Sequence, residues 1–172
     1  DEEGYKRIIK LSSFSFLNND ELSEPHLSFD DLLEDSHGVA IFSGTVFGLF
    51  GQLFDKGKFS EINDLYNKLK ATYEDRFYLE IQRHNDQNEV GFEKFNLKKS
   101  LELEIPIIAT NEVFYLNQNM HEAHDALICI GNKTYVNDKT RVKFSDQHYF
   151  KTNSEMSELF ADLPEALENN YN

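Results

Sequence analysis

The chain has 172 residues, with 17 Lys and Arg against 31 Asp and Glu, a formal charge of −14. That balance disfavours a free-standing nucleic-acid-binding module, whose affinity comes from neutralising phosphates, and it disfavours adsorption to an anionic membrane. With 40% apolar residues, fifteen Phe and eight Tyr, the sequence is not that of a disordered chain. It has enough apolar material to bury roughly 70% of its unfolded surface, as one domain or a piece of a larger one.

The single cysteine, Cys129, excludes an intrachain disulfide framework or a Cys-rich zinc module and fits a reducing compartment. Apolar runs fall far short of the roughly 18 residues that a membrane span requires. The opening Asp1-Glu2-Glu3-Gly4 has neither the basic region nor the apolar stretch of a signal peptide. A cytoplasmic protein with no membrane partner is expected.

In chain order, Tyr5 to Glu34 reads as helical with a polar loop from Asn18 to Pro25, and contains no strand. Gly38-Val39-Ala40-Ile41-Phe42-Ser43-Gly44 is a short apolar strand closed by glycines. Gly44, Gly48 and Gly51 lack the spacing and the Gly-Lys-Ser/Thr of a phosphate loop, so they serve the turn into Val46 to Phe54. Phe59, Ile62, Leu65, Tyr66, Leu69 and Tyr73 step by three or four along an amphipathic helix. Arg76 to Gln82 is a second strand, with Phe77, Leu79 and Ile81 on one side and Tyr78 on the other. Val90 to Leu103 repeats the helical period, placing Phe92, Phe95, Leu97 and Leu101 inward. The third strand, Ile105 to Asn111, has its proline at the entrance, where a missing N–H costs least.

Helices follow at His121 to Ile130 and from a capping-box-like start at Ser154, and a last one opens on Pro164 and runs to Asn170. In the apolar run Leu127 to Ile130, Cys129 reads as a buried, inert thiol. Strands separated by helices cannot pair as hairpins. They require crossovers, so the class is α/β with parallel strands and outer helices.

Ligands in such folds sit beyond the carboxyl ends of the strands. Those ends carry Ser43, Gly44 and Thr45, then Gln82, Arg83 and His84, then Thr110, Asn111 and Glu112. As a metal site this ring is thin: His84 and Glu112 are the good ligands, where three or four are wanted. His121-Glu122-Ala123-His124 misses the i, i+4 histidine spacing of zinc proteases, and Glu122 and Asp125 read as ordinary surface or helix-entry charges. No Gly-x-Ser-x-Gly element is present.

Four blocks together resemble one family. They are Gly38 to Gly44, Asp75-Arg76-Phe77-Tyr78-Leu79-Glu80-Ile81-Gln82-Arg83-His84, and Ile105 to Tyr115. The fourth runs from His124 to the Glu158-Leu159-Phe160-Ala161-Asp162-Leu163-Pro164-Glu165-Ala166-Leu167 stretch. The chain is similar, over nearly its whole length, to the polymerase-and-histidinol-phosphatase (PHP) domain of bacterial DNA polymerase III alpha subunits. The resemblance implies a distorted (β/α)7 barrel. Residues 1–172 would be its later part, with the N-terminal strands and the polymerase palm, thumb and fingers lying elsewhere. It implies a parent that is a DNA-directed DNA polymerase, a nucleotidyltransferase of DNA replication using magnesium.

Position by position, the resemblance implies a degenerate pocket. Thr45 stands where a cysteine is common, His84 is retained, and Asn111 is followed by Glu112 in place of Asp and Phe114 in place of His. Phe114 cannot coordinate an ion, and a hydroxyl is a poor replacement for a thiolate. The expectation is no catalytic residue, no cofactor and no metal in the segment, with His84 the one weak candidate ligand. Its expected role is structural, docking the proofreading epsilon exonuclease and other replicase subunits, with DNA held by the rest of the parent. The alternative is a metal-dependent PHP phosphoesterase or exonuclease.

Overall fold

Strand β2 (Phe77–Ile81) lies at the centre of the computed structural model, which describes residues 1–19 and 23–171. Phe77, Leu79 and Ile81 are buried, and Tyr78 and Glu80 are half-buried, the alternation its sequence predicts. Ahead of it come α1 (Glu2–Leu17), α2 (Phe29–Leu33) and β1 (Ile41–Phe42). The predicted loop Asn18 to Pro25 includes Asp20, Glu21 and Leu22, which lie outside the described residues. β1 is shorter than the expected run because Gly38 and Gly44 take positive φ (72° and 79°) and end the extended backbone on either side.

Helices α3 (Leu49–Asp55) and α4 (Phe59–Tyr73) carry the chain from β1 to β2, and α5 (Gln87–Leu103) carries it on to β3 (Ile107–Ala109). All pairing is parallel, in the order β1-β2-β3, with Ile41 opposite Phe77 and Leu79 opposite Ile107. Beyond these strands, the described residues hold one isolated parallel bridge, Tyr115 to Tyr149. The mixed α/β class with parallel strands is therefore observed. Gly51 allows α3 to fold against the loop before it, since a Cβ there would fall 2.1 Å from the Val46 carbonyl oxygen.

The core lies between α4, α5 and the sheet. Ile62, Tyr66, Leu69 and Tyr73 come from α4 as its period predicts. On α5 the expected inward face is corrected: Leu101 is 85% exposed and Asn96 is fully buried. The row facing the sheet runs through Phe92 and Asn96, while Leu101 is half a turn out of phase with Phe92. Asn96 is tolerated there because its amide is satisfied. It accepts from the Tyr66 hydroxyl at 2.9 Å and donates to the Glu80 carbonyl at 3.4 Å.

Helix α6 (His121–Gly131) buries Cys129 as expected. Asp125 is not the ordinary surface charge its sequence context predicts: it receives both Arg141 nitrogens, Nη2 at 2.6 Å, and is largely shielded from solvent. Helix α7 (Asn153–Leu159) starts earlier than expected. Its capping box is Thr152 with Glu155, not Ser154, because Thr152 has the extended backbone a cap requires. Helix α8 (Pro164–Glu168) starts on its proline but is shorter than predicted. The two asparagines after it turn to β3, Asn169 donating to the Ile107 carbonyl at 2.8 Å and Asn170 to the Ala109 carbonyl at 3.1 Å.

Candidate functional site

A cleft of about 470 Å3 opens beyond the carboxyl ends of β1 and β2, where an α/β fold places its ligands. Thr45, Gln82, His84, Glu89, Glu112 and His148 line it. Of the predicted site residues, Thr45, His84 and Glu112 meet here. Asn111 does not. It lines a separate cavity of about 420 Å3, donating to the Tyr149 carbonyl at 2.9 Å and accepting from the buried Lys151 ammonium at 3.1 Å. Phe114 stands behind the cleft, in a column of rings.

His84 is 1% exposed, and both of its ring nitrogens are engaged. Nδ1 meets the Glu89 carboxylate at 2.8 Å, and Nε2 meets the Glu112 backbone N–H at 3.2 Å. A carboxylate accepts and a backbone N–H donates, so Nδ1 carries the proton and Nε2 is the acceptor. The other Glu89 oxygen accepts from the His84 backbone N–H at 2.6 Å. Asn85, with φ of 61°, then turns the chain so that Asp86 can cap α5 and bring Glu89 back over His84.

Parallel to His84, with centroids 4.1 Å apart and planes 1° apart, lies His148. Phe114 stacks on the far side of His148 at 4.9 Å, and His124 stacks on Phe114 at 5.3 Å. Phe144 meets the edges of both Phe114 and His148. Phe114 therefore has a packing role of its own: its ring supplies the central apolar contact between two imidazoles. Thr45 is also occupied, its hydroxyl accepting from the Phe47 N–H at 3.2 Å. Arg83 turns away from the cleft to Glu93 and Asp162.

His148 and Glu89 are residues that sequence reasoning missed. Glu89 had a visible signal, since Asp86-x-x-Glu89 has the spacing of a capping box and Glu89 begins the helix beside His84. His148 had none, lying in an irregular segment far from its partner in sequence. Its buried Nδ1 has no hydrogen-bond partner among the described residues, the Glu112 carboxylate being 3.6 Å away. Burial, and then the adjacent His84 ring, push the His148 imidazole from the ordinary 6.5 to about 4.

That shift sets a pH dependence. Between about 6.5 and about 4 the unfolded chain binds a proton at His148 and the folded chain does not, so stability falls as pH falls through this window. A shift of this size corresponds to a loss of at most about 3 kcal/mol. Thermal denaturation followed across the window should show the loss, and His148→Gln should flatten it. An unchanged slope in that variant would show that other groups set the profile.

Among the described residues, no group of three or more His, Cys, Asp or Glu is arranged to hold a metal ion. No helix among them is long and apolar enough to cross a membrane.

Residues 1–84 match the PHP domain family. Over its whole length the chain is 39% identical to DNA polymerase III subunit alpha of Rickettsia bellii. Over 98% of the chain it is 35% identical to the Caulobacter vibrioides protein of the same name, and 36% identical to that of Borreliella burgdorferi. It spans about 15% of the length of each of these relatives. With the parallel sheet and the cleft at its carboxyl ends, these matches show PHP-domain sequence over residues 1–84 and similarity of the whole chain to one segment of bacterial DNA polymerase III alpha subunits.

Proposed function

We propose that residues 1–172 form a single segment, the later part of a (β/α)7 PHP barrel, and that this segment is a non-catalytic scaffold within a replicative DNA polymerase. The parent is a DNA-directed DNA polymerase whose nucleotidyl transfer, and the magnesium it uses, lie outside these residues. One observation carries the non-catalytic half of the reading: both ring nitrogens of His84 are already bonded, to Glu89 and to the Glu112 backbone. An ion at Nε2 would have to displace that N–H and leave it buried without an acceptor, at a cost of about 1–3 kcal/mol.

The metal that the family implies does not fit the residues present. Phe114 offers no donor atom, the Thr45 hydroxyl is engaged, and Asn111 faces a different cavity. No step is therefore assigned to an ion here. The reading assigns the segment a docking role for the proofreading epsilon exonuclease, in keeping with an acidic surface suited to protein contacts.

Metal analysis of the full-length protein, with hydrolysis of bis(p-nitrophenyl) phosphate, tests the silent pocket. No zinc- or manganese-dependent turnover is expected. Turnover lost on chelation and restored by metal would overturn the reading. In the Glu112→Asp/Phe114→His variant, zinc should still bind weakly, because His84 stays committed; a tight site there would show that ligands were undercounted. Gel filtration of the full-length protein with the exonuclease subunit should give one co-eluting complex, and separate peaks would remove the docking role.

A further inference from the structure

Charge is unevenly distributed in this molecule. Residues 132–143, which run from the end of α6 to the ring column, hold Lys133, Lys139, Arg141 and Lys143 against the single acid Asp138. This arm carries +3 in a chain whose total is −14, leaving −17 for the remainder.

The arm has no helix or strand, yet it is firmly tied. Arg141 grips the Asp125 carboxylate on α6 with two nitrogens, while Nε donates to the Val136 carbonyl at 3.1 Å and Nη1 to the Val142 carbonyl at 3.2 Å. The Thr134 N–H bonds to the Cys129 carbonyl at 2.9 Å, and Asp138 accepts from both the backbone and the hydroxyl of Thr140. Arg141 and Asp138 are thus spent on shaping the arm. Lys133, Lys139 and Lys143 are exposed, and no carboxylate among the described residues lies within ion-pair distance of them. Tyr135, between the first two, is 84% exposed.

Three lysines outside any ion pair among the described residues, with Lys143 acting on the Asp125 carboxylate only at longer range, form a surface suited to anions from outside. An acidic peptide would match the charge but offers nothing in particular to the projecting tyrosine ring. A single-stranded nucleic acid matches both, with phosphates for ammonium groups and base faces for an exposed aromatic. The acidity of the rest of the molecule does not cancel this attraction, because exposed charges farther away than about 8 Å are largely screened at physiological salt.

We propose that the arm 132–143 is a contact for single-stranded nucleic acid, with Lys133, Lys139 and Lys143 on the phosphates and Tyr135 as a stacking platform. The contact does not rest on the scaffold reading, since it requires no chemistry of the cleft, whose rim Lys143 joins. It also qualifies what net charge alone implies, because the acidic total conceals a local basic surface.

The test uses the full-length protein and a fluorescein-labelled oligothymidylate of about 25 nucleotides. Binding is followed by anisotropy across a salt series. Changing Lys133, Lys139 and Lys143 together to Gln should weaken binding about tenfold at low salt and reduce the slope of log K against log salt by about 2, near 0.7 for each phosphate released. Tyr135→Ala should weaken binding about fivefold and leave the slope unchanged. Because other parts of the parent also hold DNA, a benzophenone-bearing residue introduced in place of Tyr135 gives a local readout, and a crosslink to the oligothymidylate is expected. Superimposable salt curves with no crosslink would overturn the proposal. So would a triple variant that loses a protein partner while its oligothymidylate binding is unchanged.

Discussion

Replacing Phe160 with alanine should destabilise the sheet region by about 4 kcal/mol, the cost of removing a large ring from a site that cannot collapse. Phe160 is fully buried, at the end of α7, and belongs to the same apolar cluster as Phe77, Leu79 and Ile81 of β2. Its ring holds the C-terminal helices against the sheet, so the damage should be regional. Native-state hydrogen exchange in the intact protein is the measurement, and the β2 amides should lose protection by about a thousandfold, the equivalent of that free energy. Unchanged β2 protection would show that α7 and α8 are separable from the sheet.

The second large effect belongs to Arg83, which covers the same ring at 4.8 Å from its centroid. Its guanidinium meets Glu93 at 2.6 Å and 3.1 Å, Asp162 at 2.6 Å and 2.9 Å, and the Leu159 carbonyl at 2.7 Å. One side chain therefore fastens the end of β2 to α5 and to the turn between α7 and α8. Arg83→Ala would leave Glu93, itself mostly shielded, facing no cation. Loss of a buried partner costs about 3–5 kcal/mol, and the exposure of Asp162 brings the expectation down to about 2–3 kcal/mol. Arg83→Lys should recover little of this, since an ammonium cannot serve two carboxylates in a planar fork. Full stability in the lysine variant would show that charge alone matters. In the double variant with Phe160→Ala the two losses should sum to more than the measured total by about 1 kcal/mol, the part they share through the ring contact.

These two residues also show what was readable in the sequence. The β2 strand and helix α4 were legible because their periods are clean and local: Phe77, Leu79 and Ile81 alternate, and Ile62, Tyr66, Leu69 and Tyr73 follow a helical repeat. On α5 the same logic selected Leu101 over Asn96. Hydropathy cannot register an amide whose partners, Tyr66 and Glu80, come from two other elements. Of the residues taken from strand ends, Thr45, His84 and Glu112 line one cleft. Asn111 was misplaced because alternation at the end of β3 sends it to the other side, toward Lys151 and Tyr149. The His84–His148 stack and the Asp125–Arg141 clamp were illegible for one reason. His84, His148 and Arg141 all lie in irregular segments, which carry no period from which a facing direction can be inferred.

The two asparagine amides that follow α8 have an effect beyond local tidiness. They occupy the Ile107 and Ala109 carbonyls on the margin of β3 away from β2, in the manner of a neighbouring strand that is not there. Among the described residues nothing comparable lies along the outer margin of β1. Lateral growth of this sheet therefore has a direction: it is stoppered at one flank and receptive at the other. Any further strand of this sheet would join beside Ile41 and Phe42, where the ladder is open.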